Sequence, residues 1–201
     1  MDIAIVAFNG VDELDAVGPY EVFANAADEG VDLAVTLCTL DDAPTVTASH
    51  GLTFEAQGRL DDRDPDLLVV PGGQWNARGE TGAWAEAERG VLPARVRDLH
   101  DAGVTVAGVC TGGMLLARAG VTDGRPATTH RGALDDLRAS GATVVDARVV
   151  DDGDVVTAGG VTSGIDLALY LVEREFGASV ADAVASRMEY ERRGETYVSD
   201  Q

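Results

Sequence analysis

With 201 residues, 45% of them hydrophobic, the chain has the length and apolar content for one α/β domain with a full core. No apolar run approaches the roughly 18 residues of a membrane span. Its formal net charge is −20, from 35 acidic residues set against 15 basic ones that are all arginine. That balance opposes binding to nucleic acid or anionic membranes, and the absence of lysine excludes Schiff-base chemistry.

The acidic residues occur throughout, in loops such as Asp61-Asp-Arg-Asp-Pro-Asp66 and Asp151-Asp-Gly-Asp154, which predicts an acidic surface overall. Such a surface suits molar salt, where the Debye length falls to about 3 Å and self-repulsion is screened. A halophilic origin is therefore expected. The chain opens directly on a strand-like segment without a basic leader, which predicts a cytoplasmic protein. Cys38 and Cys110 are far apart in sequence and each falls in a strand-like segment, so no structural disulfide is expected; Cys38 reads as a core residue.

Strand and helix patterns alternate along the chain. Residues 3–8 form a continuous apolar run, as in a strand buried on both faces, and residues 15–27 carry Val17, Tyr20, Val22, Phe23 and Ala26 at helical spacing. Residues 31–40 read as a second strand, and residues 45–57 as a hairpin around His50-Gly51. A buried strand over 66–70 ends at Pro71-Gly72-Gly73, and a long alanine-rich helix is expected over about 83–102. After the Cys110 segment, residues 143–158 divide at Asp151-Asp-Gly-Asp154 into two strands, and helices over 163–176 and 180–190 close the chain. Parallel strands joined by helices imply a doubly wound sheet, with any site at the carboxyl ends of its strands. No repeat or linker interrupts residues 1–201, so a single domain is expected.

The most informative run is Val104-Thr-Val-Ala-Gly-Val-Cys110-Thr-Gly-Gly-Met-Leu-Leu-Ala-Arg: a β-branched strand, a turn at one cysteine, then a helix. Gly108-Val-Cys110-Thr-Gly112 has the spacing of a nucleophile elbow with cysteine in place of serine. The helix N-terminus beyond it favours thiolate over thiol. A buried cysteine ending a strand is the plainer alternative, which the flanking glycines argue against. A cysteine nucleophile needs an acid–base partner and donors for developing negative charge. Gly72 and Gly73 are candidate backbone donors, or merely a tight turn. The Thr111 amide is a second donor, although threonine there also suits a cap. Asp15 opens the first helix, where capping is the local alternative. His130 follows the helix after Cys110 and either returns toward the thiol or serves structurally. His50 and His100 read as solvated.

Asp15-Ala-Val-Gly-Pro-Tyr-Glu-Val-Phe23, Val70-Pro-Gly-Gly73, Val109-Cys-Thr-Gly112, Ala117-Arg-Ala-Gly120, Ala127-Thr-Thr-His130 and Gly159-Gly-Val-Thr-Ser-Gly-Ile-Asp166, with Glu189-Tyr190, resemble the DJ-1/PfpI superfamily and, within it, the isonitrile hydratase group. The resemblance spans nearly the whole chain. It implies a flavodoxin-like three-layer sandwich with a mostly parallel sheet, a homodimer, and catalysis on a small-molecule substrate by Cys110, Asp15 and Thr111 without metal or organic cofactor. Gly72, Gly73, Gly112 and His130 then fall at oxyanion or substrate-binding positions. Threonine, not histidine, follows the cysteine, unlike the proteolytic members, and Arg131 stands where hydratase-like sequences commonly carry an aromatic residue.

The function expected is hydration of an isonitrile to an N-substituted formamide through a thioimidate on Cys110. The alternatives are glyoxalase or deglycase-like action on α-oxoaldehydes, and a non-catalytic redox sensor of the DJ-1 type. A transcription-regulator version is disfavoured, since no room for a helix-turn-helix module follows and the charge opposes DNA. The composition carries its own test: the melting temperature is expected to rise between low salt and molar KCl, and a flat or falling value contradicts salt adaptation.

Overall fold

The computed structural model describes residues 1–42 and 44–199. The first apolar run forms β1 (Asp2–Val6), whose Ile3, Ala4, Ile5 and Val6 are wholly buried, as a central parallel strand requires. Helix α1 (Glu13–Asp28) begins earlier than the periodicity suggests. Asp12, not Asp15, is its cap, accepting the Leu14 N–H at 3.2 Å. The chain returns parallel to β1 as β2 (Ala34–Thr39), then forms the expected hairpin from β3 (Thr45–Thr47) and β4 (Thr53–Glu55), with β5 (Gly58–Arg59) beside β2. The fully buried β6 (Leu67–Val70) pairs with the other side of β1.

The long helix expected over 83–102 is two helices, α2 (Ala83–Arg89) and α3 (Val91–Asp101). Gly90 between them adopts φ 75°, a left-handed conformation that ends one helix while helix-forming composition continues on both sides. Strand β7 (Thr105–Val109) leads through Cys110 into α4 (Gly112–Ala119).

The next segment is more structured than its polar sequence suggests. It holds β8 (Pro126–Ala127), a 3₁₀ turn (Arg131–Ala133), α5 (Leu134–Ala139) and β9 (Thr143–Val144), with β8 and β9 forming a separate two-stranded ladder. The two strands expected over 143–158 are accordingly shorter. They are β10 (Val149–Asp152) and β11 (Val155–Ala158), an antiparallel hairpin. Helices α6 (Ser163–Phe176) and α7 (Ala178–Arg187) follow, and an unanticipated β12 (Thr196–Val198) pairs with β10.

The eight-stranded sheet runs β12-β10-β11-β7-β6-β1-β2-β5, parallel throughout except for the β10–β11 pair. Helices α1, α6 and α7 pack together on one face and α2 to α5 on the other, giving the three-layer α/β sandwich. Among the described residues no helix is long and apolar enough to cross a membrane.

This order decides where chemistry is possible. Strands β7, β6 and β1 are consecutive neighbours, so Cys110, Pro71-Gly72-Gly73 and the loop into α1 emerge side by side from the same sheet edge. Contact there is close enough to forbid side chains. A Cβ on Gly112 would lie 1.8 Å from the Val70 carbonyl oxygen, and one on Gly72 would lie 2.4 Å from Thr111 Oγ1. Gly112→Ala must therefore push α4 away from β6. It is expected to lower unfolding stability by about 3 kcal/mol or more in denaturant titrations, whereas Gly79→Ala, with nothing within 4 Å of its added methyl, stays within about 0.5 kcal/mol.

Candidate active site

Cys110 has φ 55°, a conformation costing a residue with a side chain on the order of 1–3 kcal/mol. Hydrogen bonds to its backbone hold it there. Its N–H donates to the Gly159 and Ala158 carbonyls at 2.9 and 3.2 Å, and its carbonyl accepts the Thr129 hydroxyl at 2.7 Å. At about 1 kcal/mol apiece these offset the strain and present the side chain at the sheet edge, as in a nucleophile elbow.

Asp15 lies in the first turn of α1 and has no solvent exposure. One carboxyl oxygen accepts the Gly72 N–H at 3.0 Å; the other has no hydrogen-bond partner among the described residues. Burial, aided by the negative charge of Asp12, raises its pKa from 3.8 to about 8, against the Gly72 N–H and the adjoining Cys110 thiol, which lower it. Burial and then the Asp15 charge push the Cys110 thiol up to about 12, and the Val161 and Thr111 amides that favour the thiolate do not reverse this. This corrects the expectation that the helix N-terminus leaves a resting thiolate. Desolvation beside an acid outweighs a helix end worth roughly 1 kcal/mol. Both shifts run toward the protonated forms, a carboxylic acid beside a thiol.

The backbone donors also differ from the sequence reading. Neither the Gly72 nor the Gly73 N–H is left for an oxyanion: Gly72 holds Asp15, and Gly73 donates to Thr111 Oγ1 at 2.9 Å. These amides aim the acid and the hydroxyl. As an acceptor from Gly73, the Thr111 hydroxyl keeps its own proton to donate into the cleft. Gly112 is a packing residue against Val70 and does not line the cleft. His130 does line it. Its Nδ1 accepts the Gly132 N–H at 3.0 Å, which places the proton of a neutral ring on Nε2, and that edge lies against Gly160. Arg131 is exposed and does not line the cleft, so the missing aromatic leaves no gap in its wall.

The cleft over Cys110 has a volume of about 210 Å³. Gly73 and Thr111 line it with His130, and Asp12, Gln74, Trp75, Asn76, Ala77 and Val161, none of them singled out from the sequence, complete it. The readable signal for four of them, Gln74 to Ala77, was their place directly after Gly72-Gly73, on a loop leaving a strand end. His50 and His100 lie elsewhere, each on an acid. His100 Nε2 is 3.0 Å from Asp154, and His50 Nδ1 is 2.7 Å from Glu13. Burial works against ionisation of Glu13, yet hydrogen bonds from His50 and Ser49 bring its pKa down to about 2. That ion pair accounts for the Asp12, Glu13 and His50 group, the one place among the described residues where three metal-competent side chains converge. Cys38 is fully buried, as expected of a core residue.

Known proteins align with this arrangement. The chain is 36% identical over 191 residues to an isonitrile hydratase from Pseudomonas putida, covering 94% of this chain and 78% of the relative. It is 30% identical over 179 residues to a deglycase from Pyrococcus horikoshii, covering 88% and 97%. A ThiJ/PfpI family protein from Pseudomonas syringae superimposes with a TM-score of 0.84 at 27% identity, covering 96% of this chain and 76% of that one. The DJ-1/PfpI family model matches residues 1–174. The chain belongs to the DJ-1/PfpI family.

Proposed function

We propose that the chain is a cysteine-dependent hydratase that converts an isonitrile, R–N≡C, into an N-substituted formamide. The observation that carries this reading is the Asp15–Cys110 pair, both buried, with burial pushing both groups toward their protonated forms. Hydration of an isonitrile must deliver a proton and a nucleophile to one carbon, and this pair holds both with little surrounding water. Asp15 gives its proton to the terminal carbon. The sulfur attacks that carbon as its own proton passes to the carboxylate, forming R–N=CH–S–Cys110 and restoring the acid. Asp15 then protonates the nitrogen and takes a proton from the water that adds to the carbon. Collapse of R–NH–CH(OH)–S–Cys110 breaks the C–S bond, and the hydroxyl proton returns to sulfur. The product is R–NH–CHO. Thr111, whose hydroxyl oxygen accepts from Gly73, would use its own proton to hold the water or the substrate nitrogen, and His130 lines the same cleft.

Similarity to an isonitrile hydratase supports this reading. Similarity to a deglycase supports the same thiol adding to an α-oxoaldehyde, a second reading that methylglyoxal consumption without formamide production would favour. Redox sensing is less well supported, because peroxide reacts with thiolates and this thiol is held well above its ordinary range. We further propose a homodimer. Leu14 and Val17 are exposed one turn apart on α1, and Leu52 is exposed on the hairpin whose His50 binds the start of that helix.

In assays of formamide release from a simple alkyl isonitrile in molar KCl, Cys110→Ala is expected to be inactive and Asp15→Asn reduced by at least about 100-fold. Because Asp15 must carry its proton, wild-type kcat/KM is expected to be level at neutral pH and to fall above about 8. Full turnover by Asp15→Asn, or a rate that climbs through that range, contradicts the acid role.

Asp15 has a linked effect on stability. Its folded pKa is raised, so the protonated acid favours folding most below about pH 4, and that contribution is lost as pH rises toward 8. The stability of Asp15→Asn relative to wild type, from denaturant titrations, is expected to improve by roughly 1 kcal/mol per pH unit between pH 5 and 7. A constant difference would place an ionised Asp15 in the folded state.

A further inference from the structure

One wall of the cleft is the short 3₁₀ turn Trp75–Ala77, and its own backbone does little to fix it. Gln74 before it and Arg78 after it both adopt left-handed conformations, φ 55° and 51°, and no side chain caps the turn. Residues with side chains avoid that region, so the turn depends on being held from outside.

The hold lies behind the wall. One oxygen of Asp136, on α5, accepts the Trp75 indole N–H at 2.7 Å and an Arg78 guanidinium N–H also at 2.7 Å. The guanidinium lies 3.7 Å from the Trp84 ring centroid, and the Trp84 ring meets Trp75 edge-on at 5.2 Å with an interplanar angle of 78°. Both bonds to Asp136 are charge-assisted, the stronger class of protein hydrogen bond, and the stacked guanidinium adds a cation–π contact. Asn76 Nδ2 ties the middle of the turn to the Gly132 carbonyl at 3.1 Å. Trp75 is 3% exposed and borders the cleft on one side and, on the other, the groove lined by Arg78, Trp84 and Asp136.

We infer that Asp136 is a positioning residue: by fixing the Trp75 indole and the Arg78 guanidinium from behind, it sets the width of the cleft over Cys110 and thereby the size of substituent admitted. The width stands on geometry alone; its expression as isonitrile selectivity rests on the proposed hydratase reaction.

The test uses the full chain and two thiol reagents of different bulk, iodoacetamide and N-phenylmaleimide, with Cys110 labelling followed by mass spectrometry. Cys38, fully buried, serves as the internal silent site. For Asp136→Ala the ratio of N-phenylmaleimide to iodoacetamide rate is expected to rise about fivefold, with the iodoacetamide rate within about twofold of wild type. Asp136→Asn should fall between, because its amide oxygen still accepts from Trp75 but no longer carries charge toward Arg78. Among isonitriles, KM for a bulky substituent should drop while kcat for a small one holds.

Should Asp136→Ala fail to fold, Arg78→Gln removes one side of the clamp at a half-exposed position and is expected to shift the labelling ratio about twofold. An unchanged ratio in the folded variants, or equal acceleration by both reagents, overturns the inference. A shifted ratio in a protein that converts no isonitrile leaves the inference standing and removes the hydratase reading.

Discussion

Two proton-bearing groups, the Asp15 carboxyl and the Cys110 thiol, are buried against each other at the edge of a parallel sheet, with no cation beside them among the described residues. Either could ionise in water. Desolvated together they are both pushed toward their protonated forms, because burial disfavours either charge and an ionised Asp15 would raise the thiol further. The proposed chemistry follows from that constraint. A thiolate elbow would be an avid nucleophile and an easily oxidised one; a thiol sharing a pocket with a neutral acid is suited to adding S–H across a multiple bond.

The scaffold maintains the constraint through backbone more than side chains. The three strands that end at the site are neighbours, so the amide after β6 reaches Asp15 and the next reaches Thr111 without any long side chain spanning a gap. Gly72 and Gly112 are where β6 and the start of α4 touch too closely for a Cβ. The strained backbone of Cys110 is held by carbonyls at 158 and 159 and by Thr129, so the segments following α4 and β11 both converge on Cys110. Helices α1 and α6 close the same region from the other face, with Gly164 seated against Pro19, whose ring lacks the N–H that a helix would return to the Asp15 carbonyl.

Much of this was legible in the sequence, for identifiable reasons. The continuous apolar run at residues 3–8 and the buried segment at 66–70 suit strands covered on both faces and contain most of β1 and all of β6, and the glycine spacing around Cys110 marks a forced turn. Asp15 was legible as a candidate acid, but local sequence does not separate that role from a cap. Its orientation depends on Asp12 taking the cap, and both residues suit a helix start equally well on local grounds. The resting thiol was misread because a helix N-terminus is visible in sequence whereas desolvation is not. The break at Gly90, the small β8–β9 ladder and the terminal β12 were hidden for a related cause. Each is a short element set by tertiary contacts, with no periodicity of its own. Trp75 and Asp136, 61 residues apart, meet only in the fold.

The protonation state of Asp15 is open to direct observation. With aspartate carboxyl carbons labelled by carbon-13, the NMR signal absent from Asp15→Asn reports that one group. It should keep the shift of a protonated acid at pH 7 and titrate near 8. A signal already in the carboxylate position at pH 7, titrating near the ordinary aspartate value of about 4, would mean that the pair is charged at rest and that the acid-first mechanism is wrong.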